Sequence, residues 1–408
     1  DWKVTYCGRI PSPAIALYGI EKALPTVMVT GSHIPEDRNG IKFNHPKGEI
    51  TKKDEQGIVK QEIEINENLF DEKGMLLSPT MLPEIDATAE EIYVSRYVSF
   101  YPENALEGLK IGVYEHSAVG RDILSKVLQE LGAEIISLGR SETFIPVDTE
   151  AIREEDSRLA REWAKEGFFA IVSTDGDSDR PLLSDENGEW LRGDVLGILA
   201  ATALGISSVA TPVSCNTALE KCNRFKKICR TRIGSPYVIE GMESLAQDFN
   251  SVAGYEANGG FLLQTDVEKA GKILKALPTR DALLPIISVL VNAKDLKIKV
   301  SDLLKELPSR FSASDRLKNF PTEKSKQKIA EIKSENLGEV LFGKFSGKLK
   351  AIDETDGFRM TFDSEEIIHL RPSGNAPELR CYVEATSQER AKKLLTDCIQ
   401  VLESFRGE

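Results

Sequence analysis

Three aspartates alternate along Ser173-Thr174-Asp175-Gly176-Asp177-Ser178-Asp179-Arg180. In a tight turn, carboxylates at alternate positions can point inward together and offer hard oxygen ligands to Mg²⁺ or Ca²⁺. Without a cation they would repel one another, and Arg180 alone cannot neutralise three charges. A solvated acidic turn is therefore the weaker reading. An EF-hand is weaker still: Glu186 falls at its twelfth position, but that loop needs glycine where Arg180 stands, and helices on both sides. Upstream, the apolar run Leu24–Val29 reads as a short buried strand that opens into Thr30-Gly31-Ser32-His33, with Lys42 on the loop that follows. A serine hydroxyl is a poor nucleophile unless a base or metal activates it. Beside a metal loop, Ser32 could instead carry a phosphoryl group whose oxygen joins the aspartates on the ion. Lys42 could then lend positive charge or exchange a proton. As an isolated string, Gly-Ser-His shapes turns just as readily.

Two further loops carry chemistry. Gly254-Tyr255-Glu256-Ala257-Asn258-Gly259-Gly260-Phe261 sets a glutamate and an asparagine on a glycine-rich loop, suited to bidentate hydrogen bonding with sugar hydroxyls. A plain connecting loop is the competing reading. In residues 370–380, Arg371, Ser373, the amides around Gly374, Asn375 and Arg380 suit an anion, because arginine forks and backbone donors match phosphate geometry. A structural turn competes here.

Alternating strand-like and helix-like segments must position these loops. Leu109–Tyr114 reads as a strand and Gly120–Leu131 as a helix with Ile123, Leu124, Val127, Leu128 and Leu131 on one side. Gly132 ends that helix, and Glu134–Leu138 is the next strand. A helix predicted over Asp148–Gly167 leads into the apolar strand Phe168–Val172. The rhythm restarts with strand Ser207–Pro212, helix Asn216–Asn223, strand Phe225–Cys229, helix Pro236–Phe249 and strand Ser251–Ala253. Such blocks imply right-handed crossovers and mixed, mostly parallel sheets. Active sites of α/β sheets gather beyond the carboxyl ends of the strands, where these loops lie. The first 98 residues read as an incomplete copy of the block. The C-terminal region differs: a hairpin turning at Asp356-Gly357, a further strand, and a helix from about Ser387 to Phe405. The fold class is α/β, with three similar mixed α/β domains, the first incomplete, and a C-terminal α+β domain.

A chain of 408 residues is too long for one core and divides into roughly two to four domains. Its net charge of −13 is spread along the chain, which argues against nucleic acid or an anionic membrane as partner. No apolar run approaches a membrane span of roughly 20 residues, and no signal peptide is visible. The six cysteines form no C-x-x-C pair and read as reduced thiols of a cytoplasmic protein. With four histidines, a zinc site is not expected. The chain begins at Asp1 rather than methionine, which reads as a segment removed or never supplied.

Together, T-G-S-H-I-P-E-D-R-N-G-I-K, D-G-D-S-D-R, G-Y-E-A-N-G-G and R-P-S-G-N-A-P-E-L-R resemble, in order, four loops of the α-D-phosphohexomutases, the phosphomannomutase/phosphoglucomutase family. The resemblance spans essentially the whole chain. It implies four domains around a central cleft, at residues 1–98, 99–203, 204–311 and 312–408. It implies that Ser32 is phosphorylated and that Asp175, Asp177 and Asp179 bind Mg²⁺ together with that phosphate. By the same likeness Lys42 exchanges a proton, and His33 and Arg180 support the phosphoryl group. Glu256, Asn258 and Gly234 would contact the sugar, and Arg371, Ser373, Gly374, Asn375 and Arg380 the non-reacting phosphate. The implied activity converts hexose 1-phosphate to hexose 6-phosphate (mannose, glucose or both) through a phosphoserine and a hexose 1,6-bisphosphate, which also serves as activator. The implied partners are sugar phosphates alone, and the implied assembly is a monomer or homodimer.

Several residues depart from that pattern. The family often has asparagine where Ile34 stands, histidine where Gly260 stands, and Thr-Glu where Asn375-Ala376 stand. The absent histidine removes a second acid/base candidate on the sugar-loop side. Gly8-Arg9-Ile10-Pro11-Ser12-Pro13 resembles a motif well inside the family's first domain, so a preceding strand, helix and arginine-bearing loop are expected to be missing. Two alternatives follow: a catalytically impaired, truncated mutase that only binds sugar phosphate, and a phosphoglucosamine mutase, whose sugar loop usually reads E-x-S-G-H. A phosphatase or kinase is disfavoured, since no G-x-x-x-x-G-K-[ST] string is present.

Overall fold

The computed structural model describes residues 3–32, 39–78, 80–374 and 376–407. Its first sheet is antiparallel, with β1 (Thr26–Thr30), β2 (Gly40–His45) and β3 (Gly48–Glu49) side by side in that order. The expectation of a buried strand over Leu24–Val29 fails: β1 lies at the sheet edge, and Val27 and Val29 are exposed. Alternation decides this, because only one side of β1 meets the body of the protein. There Asn44 Nδ2 donates to the buried Thr26 hydroxyl at 3.1 Å. Lys42, expected on a loop, sits mid-strand in β2 opposite Met28, because the chain returns antiparallel.

The second sheet contains β4 (Lys110–Tyr114), β5 (Glu134–Leu138), β6 (Ala170–Thr174) and β7 (Pro181–Leu183), ordered β5-β4-β6-β7. Its first three strands are parallel and β7 returns antiparallel. The third sheet repeats the scheme with β8 (Ser208–Pro212), β9 (Lys227–Thr231), β10 (Val252–Tyr255) and β11 (Phe261–Leu263). After the hairpin β12 (Val267–Lys269) and β13 (Lys272–Leu274), β14 (Leu277–Asp281) completes the order β9-β8-β10-β11-β14. In both sheets the third strand of the block pairs with the first, so its carboxyl-end loop emerges mid-sheet. Those loops are the aspartate loop after β6 and the glutamate–asparagine loop after β10. The fourth sheet is antiparallel throughout: β15 (Phe311–Lys318), β16 (Leu349–Asp353), β17 (Phe358–Phe362), β18 (Ile367–Pro372) and β19 (Glu378–Ala385). The helix Gln388–Ser404 buries Ala391, Leu394, Cys398 and Leu402 against it.

Three expected helices are shorter than predicted, one of them Pro236–Phe249, which ends at Leu245. Only Glu154–Ala164 of residues 148–167 is helical. Asp148 accepts from the Glu150 amide at 3.0 Å, an Asx turn that competes with helix. Thr149 donates to the Asn258 carbonyl at 2.7 Å, so this stretch serves as a strut under the glutamate–asparagine loop. The helix expected over Asn216–Asn223 shrinks to Ala218–Lys221. Asn216 there turns its side chain onto the Ala218 amide, the Arg310 carbonyl and Ser312. Two central helices, Gly193–Ala203 and Leu283–Leu296, are buried nearly all round, so no one-sided stripe marks them in the sequence. One apolar core runs continuously beneath the first three regions, from Tyr93 through Leu128 and Leu199 to Ile286. The C-terminal domain has its own, around Phe342, Phe358, Phe362 and Leu394. All six cysteines are free thiols, and no described helix is long and apolar enough to cross a membrane.

Candidate active site

β6 is buried at every residue, and hydrogen bonding to β4 and β7 on either side fixes where it ends. The aspartate loop then folds on itself. The Asp175 amide donates to the Arg180 carbonyl at 3.0 Å, and Asp175 Oδ1 accepts from the amides of Asp179 and Arg180, each at 3.1 Å. Ser178 adopts φ +58°, locked by its hydroxyl to Thr174 Oγ1 at 2.8 Å and to the Gly120 amide at 2.9 Å. The three carboxylates are thereby gathered with ligand oxygens within 4.8 Å of one another.

The loop after β1 meets them. A Cβ on Gly176 would lie 2.3 Å from the Ser32 carbonyl oxygen, so glycine is required for this approach. Ser32 itself is left-handed at φ +47°, and its hydroxyl donates to Asp175 Oδ2 at 2.9 Å. From β2, Lys42 Nζ reaches Asp177 Oδ2 at 2.6 Å and Asp179 Oδ2 at 2.5 Å. Arg180 Nε stands 3.8 Å from Asp175 Oδ2 and 3.7 Å from Asp179 Oδ1. Burial pushes Asp175 up strongly, and Asp179 and Asp177 push it further. Burial acts likewise on Asp179, but Arg280, Lys42 and Arg180 outweigh it and hold that carboxylate ionised. Burial works against the Lys42 ammonium, yet Asp179 and Asp177 raise its pKa above the ordinary lysine value.

Glu256 and Asn258 are both buried on the loop after β10. The Asn258 side-chain oxygen accepts from the Gly260 amide at 3.0 Å, so half of its expected bidentate capacity is spent shaping its own loop. Glu256 Oε2 has no hydrogen-bond partner among the described residues, and burial raises its pKa against the pull of Arg280 and Arg180. Gly234 caps the helix Ser235–Leu245 at φ +129°. Its neighbours are tied to other sheets: the Ile233 amide to Asp356 at 2.9 Å, and the Ser235 hydroxyl to Glu49 at 2.7 Å.

On the fourth sheet, Arg371 and Arg380 face each other directly across β18 and β19. Like charges so placed oppose strand pairing unless an anion lies near. Arg371 donates to Asp356 Oδ2 at 2.9 Å, and Arg380 Nε stands 3.8 Å from Glu378. Ser373 is buried with its amide on the Glu378 carbonyl at 2.9 Å. Gly374 is exposed beside it. His33 and Asn375 lie outside the described residues.

The donor set fits a hard divalent cation. All three aspartates are buried, and Asp177 Oδ1 and Asp179 Oδ1 have no hydrogen-bond partner among the described residues. Such oxygens are costly to bury without a partner, and only hard oxygen ligands are gathered here.

Comparison with known proteins agrees across the chain. Residues 1–70 match the phosphoglucomutase/phosphomannomutase alpha/beta/alpha domain I, 91–188 its domain II, 192–311 its domain III and 296–400 its C-terminal domain. A phosphomannomutase from Salmonella muenchen is 47% identical over 413 residues, covering 99% of this chain and 83% of the relative. The chain belongs to the α-D-phosphohexomutase family. A second relative, the phosphomannomutase of Sinorhizobium fredii, is 44% identical over 401 residues, covering 98% of this chain and 84% of the relative. The same fold is found in a phosphoglucomutase/phosphomannomutase family protein from Burkholderia thailandensis, with TM-score 0.69, 17% identity, and coverage of 97% of this chain and 82% of that one. Aspergillus fumigatus N-acetylphosphoglucosamine mutase, solved with GlcNAc-6P and magnesium, gives TM-score 0.62 at 15% identity, covering 99% and 96%.

Two residues of this phosphohexomutase escaped the reading of its loops. Arg280 on β14 lies 3.2 Å from Asp179 Oδ2 and 3.7 Å from Glu256 Oε2. Glu49 on β3 accepts from Thr279 Oγ1 at 2.7 Å and stands 3.9 Å from Arg280. The available signal was an Arg-Asp pair closing a strand, which no short motif flags.

Proposed function

We propose that this chain interconverts hexose 1-phosphate and hexose 6-phosphate, mannose first, through phosphoserine at Ser32 and a hexose 1,6-bisphosphate that also primes the enzyme. The observation that carries this reading is the Ser32 hydroxyl bonded to one of three converging, buried carboxylates. Asp175, Asp177 and Asp179, together with the phosphate on Ser32, would hold Mg²⁺, which draws charge from the phosphoryl oxygens. A sugar hydroxyl oxygen forms its bond to phosphorus as the Ser32 Oγ–P bond breaks. The hydroxyl gives its proton to solvent water, and Lys42, kept as ammonium by Asp179 and Asp177, gives one to Ser32 Oγ and regains it from solvent. The bisphosphate turns over, and Ser32 takes back its other phosphate. His33 and Arg180 steady the phosphoryl group. Glu256, Asn258 and Gly234 seat the sugar. Arg371, Ser373, Gly374, Asn375 and Arg380 hold the distal phosphate, fixing the line of attack. We assign domains to 1–98, 99–203, 204–311 and 312–408. The free thiols suit the reducing cytoplasm, where the chain acts as a monomer or homodimer.

Intact mass and phosphopeptide mapping with Mg²⁺ and glucose 1,6-bisphosphate test this. The expected result is one phosphate on Ser32 that transfers to added mannose 1-phosphate. Ser32→Ala should take no label and should lose isomerisation by at least about 10³-fold. A chain that isomerises mannose phosphate without ever labelling Ser32, or that does neither, overturns the reading.

A further inference from the structure

Arg280 belongs to none of the four loops, yet its guanidinium enters the space between two of them. It faces Asp179 Oδ2 at 3.2 Å, Glu256 Oε2 at 3.7 Å and Glu49 Oε1 at 3.9 Å, one carboxylate from each of the first three sheets' surroundings. Those carboxylates balance its charge but do not use up its donors. Its Nε has no hydrogen-bond partner among the described residues, and two of the three separations exceed hydrogen-bond length. Two arginines outside the cleft, each with two donors engaged on one carboxylate, give the contrast. Arg153 forks onto Asp156 at 2.7 and 2.6 Å, and Arg161 onto Glu189 at 2.6 and 3.0 Å.

The stem is accommodated on purpose. A Cβ on Gly260 would stand 2.7 Å from Arg280 Cγ and 2.9 Å from Cδ. Gly260 is not left-handed, so space rather than backbone freedom accounts for glycine there. The strand beneath is rigid: Thr279 bonds Glu49 at 2.7 Å, and Asp281 accepts from Tyr93 at 2.8 Å and Tyr97 at 2.6 Å. A guanidinium held this way is preorganised for a planar, multiply bonded anion.

We propose that Arg280 is a further catalytic residue of the phosphoryl transfer. Its N–H groups bond the phosphoryl oxygens while that group passes between Ser32 Oγ and the sugar oxygen. The step is the one already written, with one P–O bond formed and one broken. Arg280 keeps its protons and only donates hydrogen bonds, offsetting charge as it spreads over the phosphoryl oxygens. The assignment rests on the mutase reading above.

The test is single-turnover phosphorylation of Ser32 by glucose 1,6-bisphosphate, followed by intact mass, alongside calorimetric binding of the same bisphosphate. Arg280→Gln should bind the bisphosphate within about 3-fold of the unsubstituted chain, because the distal clamp is intact, yet transfer about 10²–10³-fold more slowly. Methylguanidinium should restore part of the rate in Arg280→Ala, a recovery that a purely structural role would not give. Gly260→Ala, which retains every charge, should slow transfer by displacing the stem. Arg280→Gln transferring at the original rate, or losing rate without rescue and only in step with its melting temperature, overturns the proposal. Failure of the unsubstituted chain to label Ser32 overturns the mutase reading instead, and this assignment with it.

Discussion

Ser32 and Asp175 are 2.9 Å apart, but they arrive on supports of opposite character. Asp175 directly follows a strand that is buried at every residue. Ser32 follows β1, an edge strand with Val27 and Val29 exposed, and the neighbouring Ile41 of β2 is exposed as well. The first sheet is joined to the cleft largely through polar ties. Lys42 spans Asp177 and Asp179, and Glu49 bonds Ser235 and Thr279. The carboxylate side thus takes its rigidity from apolar packing, whereas the serine side takes its position from charges in the site itself. Changes to the site's charges should therefore be felt as loss of structure on one side more than the other.

The largest effect is expected at Asp179. Asp179→Asn leaves Lys42 and Arg280 short of a counter-charge and should cost about 3–5 kcal/mol. The urea midpoint should fall, and β1–β2 amides should lose hydrogen-exchange protection before those of β4 and β6. Asp175→Asn should behave oppositely without metal. Its ionised form is opposed by burial and by Asp179 and Asp177, so the apo chain should be no less stable while Mg²⁺ binding is lost. Equal destabilisation by both variants would break the comparison.

Acid should weaken the carboxylate side next. His116, completely buried, bonds the Thr174 carbonyl through Nε2 at 2.8 Å just before the aspartate loop. Burial pushes its pKa down to about 4, and burial does the same to His369 in the C-terminal domain. An unfolded histidine titrates at about 6.5, so between these values the unfolded chain binds more protons. Stability is therefore full above about pH 6.5 and is lost as pH falls toward 4, by about 3 kcal/mol for each histidine. Urea midpoints at about pH 7 and about pH 5 should show the decline. His116→Asn should remove its share, and an unchanged slope would show that this histidine is not held neutral.

The smallest effects sharpen the contrast in packing alone. Ile171→Val, in β6, should cost about 0.5–1.5 kcal/mol. Val29→Thr, on the open face of β1, should stay within about 0.5 kcal/mol. Thermal melts of the pair measure both, and a larger loss at Val29 would mean that β1 is packed in solution.

Legibility followed the range of the signal. Strand Glu134–Leu138, the hairpin at Asp356-Gly357 and the amphipathic C-terminal helix were readable because each is written in local periodicity or turn chemistry. The helices Gly193–Ala203 and Leu283–Leu296 were not, since burial on all sides erases the stripe. Residues 148–153 failed as helix because Asp148 and Thr149 spend their side chains on turn and tertiary bonds. In the site, the three aspartates and Ser32 were legible as residue types suited to one job at short spacing. The position of Lys42 on a strand, and of Asn258's oxygen on its own loop, were not.

What the sequence alone determined is the set of candidate site residues: four motifs, in order, each with its polar residues a few positions apart. Chemistry that needs neighbours within one turn is encoded within one turn. What only the tertiary structure decided is how charge is shared between the loops. Arg280 and Asp179 are about a hundred residues apart in the chain yet 3.2 Å apart in the fold, and Lys42 and Asp179 are 137 positions and 2.5 Å apart. Such pairs form because strands from separate sheets meet at one place, and no local pattern records the distance between them.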